Sequence, residues 1–552
     1  FSGFTGSAGT LVVGAKEAGL WTDGRYFLQA ERELARSGIT LYRMGEDKVP
    51  KISEYLKKAL RPGQTLGFDG SVLSARLGQK LEEELAERNI TINYKEDLAA
   101  KVWANRPPLP CQPVWELSLD WSGQSTADKL KAVRGKLRAD NALLILNSLD
   151  DIMWLFNIRG SDIPHNPVAY SYAYIDQRKA FIFLQKGAFS EQLSEALAEA
   201  EVIILPYADF YYWLAGVRFR RAQKILLDSE KCNYYLYKIL AEKARPYLAV
   251  SPTTTLKAEK NAVEQKHLRE TYKKDSAAVI RFLKWLGEQK EPVSETQAAA
   301  RMDALRREVD GFIDLSFETI AAYGENAAMM HYQATAGDES VLENEGFFLL
   351  DSGGQYYGGT TDITRTVVMG AISDEMRRHF TAALRGLLHF SNLVFLHGCT
   401  GRNLDIIARQ PLWELRSDYK SGTGHGLGYM LGVHEGPQNV GLRYREEGPP
   451  EAVLEAGMLL SIEPGAYKAG AYGIRLENIV LIVEADKNDE GTFLGFETLT
   501  LVPLDLAGLD VSRLTAEEKG WLNAYHQRVY AEMGAYLSAE EREWLKLATR
   551  AV

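Results

Sequence analysis

Cysteine is scarce in this chain. Cys111, Cys232 and Cys399 are the three present in 552 residues, far apart and in no metal-ligand spacing. They offer neither a disulfide framework nor a thiolate cage, and a reducing, cytoplasmic compartment is expected. Also missing are an apolar run of about 18 residues, the length that spans a bilayer, and a charged-then-apolar leader. The protein is therefore expected to be neither membrane-inserted nor secreted. Basic residues form no stripe, since 64 Lys and Arg are scattered among 74 acids for a formal net charge of -10, which argues against nucleic acid as a partner. What remains is the composition of an ordinary globular protein, 46% hydrophobic and 25% charged, too long for one hydrophobic core.

The opening third alternates short apolar runs (TLVVG, GLWTDGRYF) with helical patterns (FLQAERELARSG, ISEYLKKAL), the rhythm of an α/β domain. The chain begins at Phe1 inside a strand-and-turn pattern, so this first domain is expected to lack its start. Residues 104–125, rich in proline and turn formers, read as a linker. The rhythm then resumes with a helix over Thr126 to Ala139, the strand NALLILN, the helix DDIMWLFNIRG and strands at SYAYID and AFIFL. After about residue 262, long helical patterns and paired strands with Gly-rich turns predict an α+β domain built on antiparallel sheet. Expected boundaries are 1–120, 121–262 and 263–552, the last ending in a charged helical stretch from about Thr515 that could serve in docking or dimerisation.

Chemistry concentrates in the third segment. In GFFLLDSGGQYYGGTTDITRTVVM, Asp351 ends one apolar strand and Asp362 starts the next, so antiparallel pairing would bring both carboxylates to one end of a sheet. In GMLLSIEPGAYKAGAYGIRLENIVLIV, Glu463 follows one apolar strand and Glu477 is embedded in the next. Aspartates flanking a hairpin are commonplace, but an acid amid LLSI and IVLIV is costly to desolvate without a cation or hydrogen bonds. Arg475 alone does not balance four anions. Between the hairpins lies SGTGHGLGYMLGVHEGPQ, whose His425 is flanked by glycines and so is ill suited to core packing, with His434 nine positions on. One imidazole and four carboxylates match the donor preference of two divalent ions of the magnesium or manganese type, and a two-metal site that activates water implies hydrolysis.

The motifs LLDSGGQY, TTDITRT, GTGHGLG, VHEGP, SIEPGAY and GIRLENIV, in the order Asp, Asp, His, Glu, Glu, resemble the metallopeptidase family with the pita-bread fold, which includes methionine aminopeptidase, prolidase and aminopeptidase P. SGFTGSAGT, LWTDGRYFLQA and WLFNIRGSDIPHNPV extend the likeness to its three-domain Xaa-Pro aminopeptidase form. The resemblance implies two α/β creatinase-like domains ahead of a pita-bread catalytic domain. It also implies two manganese ions bridged by Asp362 and Glu477, with Asp351 completing one site and His425 with Glu463 the other, and a bridging hydroxide as nucleophile. It implies that Glu463 moves the proton, that His331 (in AAMMHYQAT) and His434 contact substrate and intermediate, and that Tyr467 and Arg475 support the ligands. The substrate class implied is peptides with proline at the second position, and the family expectation is a homodimer. Arg159, in the RGSDIPHNP segment, is the polar residue expected to help form the proline pocket. Ser421 departs from the pattern, since many relatives carry histidine there. The readings to set against this one are a prolidase restricted to dipeptides and a non-catalytic protein-binding member of the same fold.

Overall fold

A computed structural model describes residues 1–139, 142–220, 223–442 and 450–552. Among these, the chain divides into two compact units, one made of Phe1–Glu46, residues 258–442 and Glu451–Val552, the other of Asp47–Lys257.

The second unit is organised by a six-stranded mixed sheet in the order Val202–Pro206, Ala180–Leu184, Ser171–Ile175, Ala142–Leu146, Lys224–Leu227 and Pro246–Leu248. The fully buried run ALLIL sits near its middle, as a strand covered on both faces must. Helix Thr126–Ala139 forms as its periodicity predicts, and a further helix, Glu191–Glu199, is capped by Ser190 accepting from the Leu193 amide. The helix expected over DDIMWLFNIRG is shorter than its pattern. It covers Leu149–Leu155, because Asn157 adopts a left-handed backbone (φ 51) that ends the helix, and Ile158–Arg159 then pairs antiparallel with Trp115–Glu116. The expected linker thus holds a short strand, and Leu119–Ser122 makes a helical turn.

In the first unit, Thr10–Val13 pairs antiparallel with Ala18–Thr22, which pairs parallel with Ile39–Arg43. By packing, this segment goes with the chain after Ala258 rather than with residues 47–120. The long helix Ala262–Gly287 starts where Asn261 and Glu264 form a reciprocal capping box, and Glu295–Arg307 starts at the Ser294–Gln297 box. Phe347–Ser352, buried throughout, lies between Ile320–Tyr323 and Ile363–Val368, both antiparallel. A second antiparallel sheet carries Leu459–Ile462 beside Asn478–Asn488. Helices Asp374–Ser391 and Gly401–Glu414 pack their apolar faces on its core around Leu460, Ile462, Val480 and Ile482. Each such fully buried aliphatic side chain contributes roughly 1.5–3 kcal/mol. The C-terminal helices Ala516–Met533 and Ala539–Ala548 set Val529, Met533 and Leu545 against Ala277 and Ile280 of the long helix. No described helix is long and apolar enough to cross a membrane.

Candidate metal centre

Asp351 and Asp362 meet because the strands that carry them are neighbours: Asp351 pairs with Thr364 and Ser352 with Ile363, which places Asp362 just beyond the start of its strand. The intervening hairpin, Gly354–Tyr356 with Gly359–Thr360, folds back tightly. A Cβ at Gly353 would lie 2.0 Å from the Thr361 carbonyl oxygen, so only glycine fits there. Glu463 follows Leu459–Ile462 and donates its amide to the Thr423 carbonyl at 2.8 Å. Glu477, expected inside a strand, instead joins Tyr472–Arg475 to Asn478–Asn488. Its amide donates to the Thr364 carbonyl at 3.1 Å, and its Oε2 accepts from Thr364 Oγ1 at 2.8 Å. Thr366 reinforces this seam, donating to the Arg475 carbonyl at 2.9 Å and accepting from its amide at 3.0 Å.

His425 enters on the two-residue strand Gly424–His425, which pairs with Asn439–Val440. Gly424 allows the approach, since a Cβ there would lie 1.8 Å from the Ser461 carbonyl oxygen. The imidazole Nδ1 lies 3.0 Å from the Gly426 carbonyl and so must carry the proton, which leaves the Nε2 lone pair facing Asp362 Oδ2 and Glu463 Oε1, each at 3.5 Å.

Ligand atoms of Asp362, His425 and Glu477 all lie within 4.8 Å of one another. Asp351 and Glu463 line the same cleft, which has a volume of about 620 Å³ and also exposes His331, His434, Ser421, Tyr467 and Arg475. All five predicted ligands therefore converge. Arg475 donates to Asp351 Oδ2 at 2.5 Å, to Tyr467 Oη at 2.9 Å and to the Met330 carbonyl at 3.2 Å, so it ties Asp351 to the residue preceding His331. His434 stacks edge-on against His425, with ring centroids 4.2 Å apart.

The electrostatics suit a cation. Burial, then Asp351 and Glu463, push the Asp362 carboxyl well above its ordinary range, and burial, then Asp362 and Glu463, do the same to Glu477. Burial raises Glu463 as well, against the pull of His425 and Arg475. Asp351 Oδ1 and Glu477 Oε1 are buried with no hydrogen-bond partner among the described residues. Orphaned acceptors of this kind, in an all-oxygen set completed by one imidazole, fit hard or borderline divalent ions.

Arg159 is the remaining candidate. It belongs to the other unit, is 2% exposed, and its Nη1 donates to the Met153 and Ile158 carbonyls at 3.2 and 2.9 Å. What sequence reading missed is the contribution of the first residues. Thr5, Gly6, Ser7, Arg25, Tyr26 and Gln29 line the cleft. Asp23 fixes Arg25 through bonds from Nε and Nη2 at 2.9 and 2.7 Å. The motif LWTDGRYFLQA was a signal, but it spoke for family likeness and not for position. A cavity of about 820 Å³ lies against residues 365–369, lined by Leu286, Trp544 and Arg550, and it contains none of the four acids or the imidazole. Volume is therefore a poorer guide to the site than chemistry.

Comparison with known proteins agrees with this geometry. The family model for metallopeptidase family M24 matches residues 266–484, and that for the C-terminal region of this peptidase family matches 492–552. Creatinase/prolidase N-terminal domain models match 1–97 and 105–264. A probable Xaa-Pro aminopeptidase P from Laccaria bicolor is 36% identical, covering 99% of this chain and 86% of the relative. This chain belongs to metallopeptidase family M24. As a metallopeptidase it is a metal-dependent hydrolase, with creatinase-type α/β regions ahead of a pita-bread catalytic domain. Among solved structures, the X-prolyl aminopeptidase of Caenorhabditis elegans, described as a cytosolic enzyme with a di-nuclear active site, matches with a TM-score of 0.94 at 35% identity, covering 100% of this chain and 91% of that one. An Xaa-Pro dipeptidase from Bacillus anthracis matches with a TM-score of 0.55 at 25% identity, covering 69% of this M24 peptidase and 99% of the dipeptidase.

Proposed function

We propose that this chain is an aminopeptidase that hydrolyses the first peptide bond of peptides whose second residue is proline. The observation that carries this reading is the convergence of Asp351, Asp362, His425, Glu463 and Glu477 on one cleft, in a chain similar along its whole length to Xaa-Pro aminopeptidases. Asp362 and Glu477 would each serve two divalent ions, Asp351 one, and His425 with Glu463 the other, manganese being the ion we favour. When bound, the ions supply Lewis acidity that polarises the scissile carbonyl and lowers the pKa of a shared water, the nucleophile, toward neutrality.

The chain's own residues do the rest. Glu463 Oε1 accepts from Ser461 Oγ at 3.1 Å, which leaves Oε2 to take a proton and return it to the departing nitrogen. His331 and His434 donate to the oxygen that develops charge. Arg475 holds Asp351 and Tyr467 in place. An Xaa-Pro bond has no N–H and a restricted preceding residue, so a site that grips the carbonyl and the free amine can cleave it where one that needs the N–H cannot. A cytoplasmic location, a homodimer and a three-segment division at 1–120, 121–262 and 263–552 belong to the same reading.

The test is cleavage of an Xaa-Pro-Xaa peptide and an Xaa-Pro dipeptide by purified protein, before and after chelation and manganese return. Release of the first residue from the longer peptide, lost on chelation and restored by manganese, is expected. Cleavage of dipeptides alone would favour a prolidase, and a protein inert with manganese a binding role.

A further inference from the structure

His331 is held by a residue 305 positions away. Tyr26 Oη lies 2.5 Å from His331 Nδ1 and 2.5 Å from Ser7 Oγ, and the two rings meet edge-on with centroids 5.0 Å apart. Tyr26 is 1% exposed. Its amide donates to the Asp23 carbonyl at 3.0 Å, and Phe4 packs against its ring edge-on at 5.7 Å. A side chain pinned in this way cannot swing off its partner.

Either hydroxyl of the Ser7–Tyr26 pair can donate, and the Tyr26–His331 bond can run either way; when Ser7 donates to the Tyr26 oxygen and the Tyr26 hydroxyl donates to His331 Nδ1, Nε2 is the nitrogen that carries the ring proton. Burial, then Arg475 and Arg25, lower His331 to about 4, so it is neutral near pH 7 and which nitrogen bears the single proton decides whether the ring donates or accepts. We propose that Tyr26, backed by Ser7, is a positioning residue that fixes His331 in the Nε2–H form, so that the ring donates to the oxygen that gains charge when the peptide carbonyl is attacked. This rests on the reading of His331 as a substrate-contacting group given above. On this view the first strands of the chain are part of the catalytic apparatus, which explains why Phe1–Glu46 packs with the segment that bears the acids.

The experiment uses the full manganese-loaded chain and an Xaa-Pro-Xaa peptide. Tyr26→Phe deletes only the hydroxyl, and it is expected to lower kcat by about 10- to 100-fold, the range seen when an orienting partner is lost, with KM changed less than about 3-fold and manganese content unchanged. In a double-mutant cycle, Tyr26→Phe on top of His331→Ala is expected to cost no further activity, because the group it orients is gone. A Tyr26→Phe enzyme with wild-type kcat overturns the proposal, as does a double variant that loses the full Tyr26→Phe factor below His331→Ala, the mark of a merely structural role. Should Tyr26→Phe fail to fold, Ser7→Ala reads the same relay, with a fall in kcat expected and an unchanged kcat overturning it. Failure of the wild-type enzyme to cleave the peptide would instead overturn the function beneath this inference.

Discussion

In the unit formed by Asp47–Lys257, Asp151 is fully buried between Lys231 Nζ at 2.8 Å and Lys257 Nζ at 3.6 Å. In the cleft of the other unit, Asp362 is buried beside Asp351, Glu463 and Glu477, with Arg475 as the cation at hand. Burial alone would push both aspartates up. Two ammonium groups instead hold Asp151 below the ordinary carboxylate value, whereas its acidic neighbours carry Asp362 well above it. The lesson is one of charge balance: a buried acid neutralised by the chain's own lysines is a structural fastening, and a buried group of acids left in excess is a place for ions from outside.

The largest test of that contrast is Glu477→Ala, which removes one of the two proposed shared ligands. We expect kcat/KM to fall by at least about 10³-fold and bound manganese to drop, read by peptide cleavage and elemental analysis; full activity would break the comparison. Asp151→Ala should act in the other sense. Leaving two lysines near a vacated buried position should destabilise by about 3–5 kcal/mol, measured by urea unfolding, while manganese content stays at the wild-type level. Chelation comes next. At manganese about 100-fold above its Kd, the folded wild-type protein should gain about 2.7 kcal/mol, seen as a fall in Tm when the ion is removed, and the Glu477→Ala protein should show little of this fall.

The smallest effect is in pH dependence, and here the signs are opposite. Asp151 has a depressed folded pKa, so its contribution is present above the ordinary aspartate value and is lost as pH falls through the folded one. Asp362 and Glu477 have raised folded pKa values, so in chelated protein the folded state keeps protons that the unfolded state releases, and stability declines as pH rises from the ordinary carboxylate values toward the folded ones. Asp362→Asn should therefore raise the Tm of chelated protein at neutral pH, and Asp151→Asn should lower it. Equal responses would dissolve the distinction.

The acids of the centre could be read as a group because Glu463 and Glu477 lie beside apolar runs where an unpaired charge is costly, and because Asp351 and Asp362 flank a Gly-rich turn that would bring them together. Helix positions around them followed from period, and the structure adds capping boxes at Asn261 and Ser294. Less legible were features set by a single backbone angle or a distant neighbour. The helix after Leu149 stops early at Asn157, whose left-handed turn no periodicity announces. Arg159 carried a charge near a plausible motif, yet its burial against its own carbonyls depends on the Trp115–Glu116 strand folding over it.

By itself the sequence pointed to the reaction class and to a candidate ligand set, since four carboxylates and an imidazole match the donor preference of divalent ions. The tertiary structure alone decided which remote groups serve that centre. It set Arg475 on Asp351 and brought Ser7, Arg25 and Tyr26 to the cleft wall. The physical reason is range. Propensity, capping and desolvation act over a few residues and are written locally, whereas a hydrogen bond between residues 305 positions apart exists only once the chain has packed.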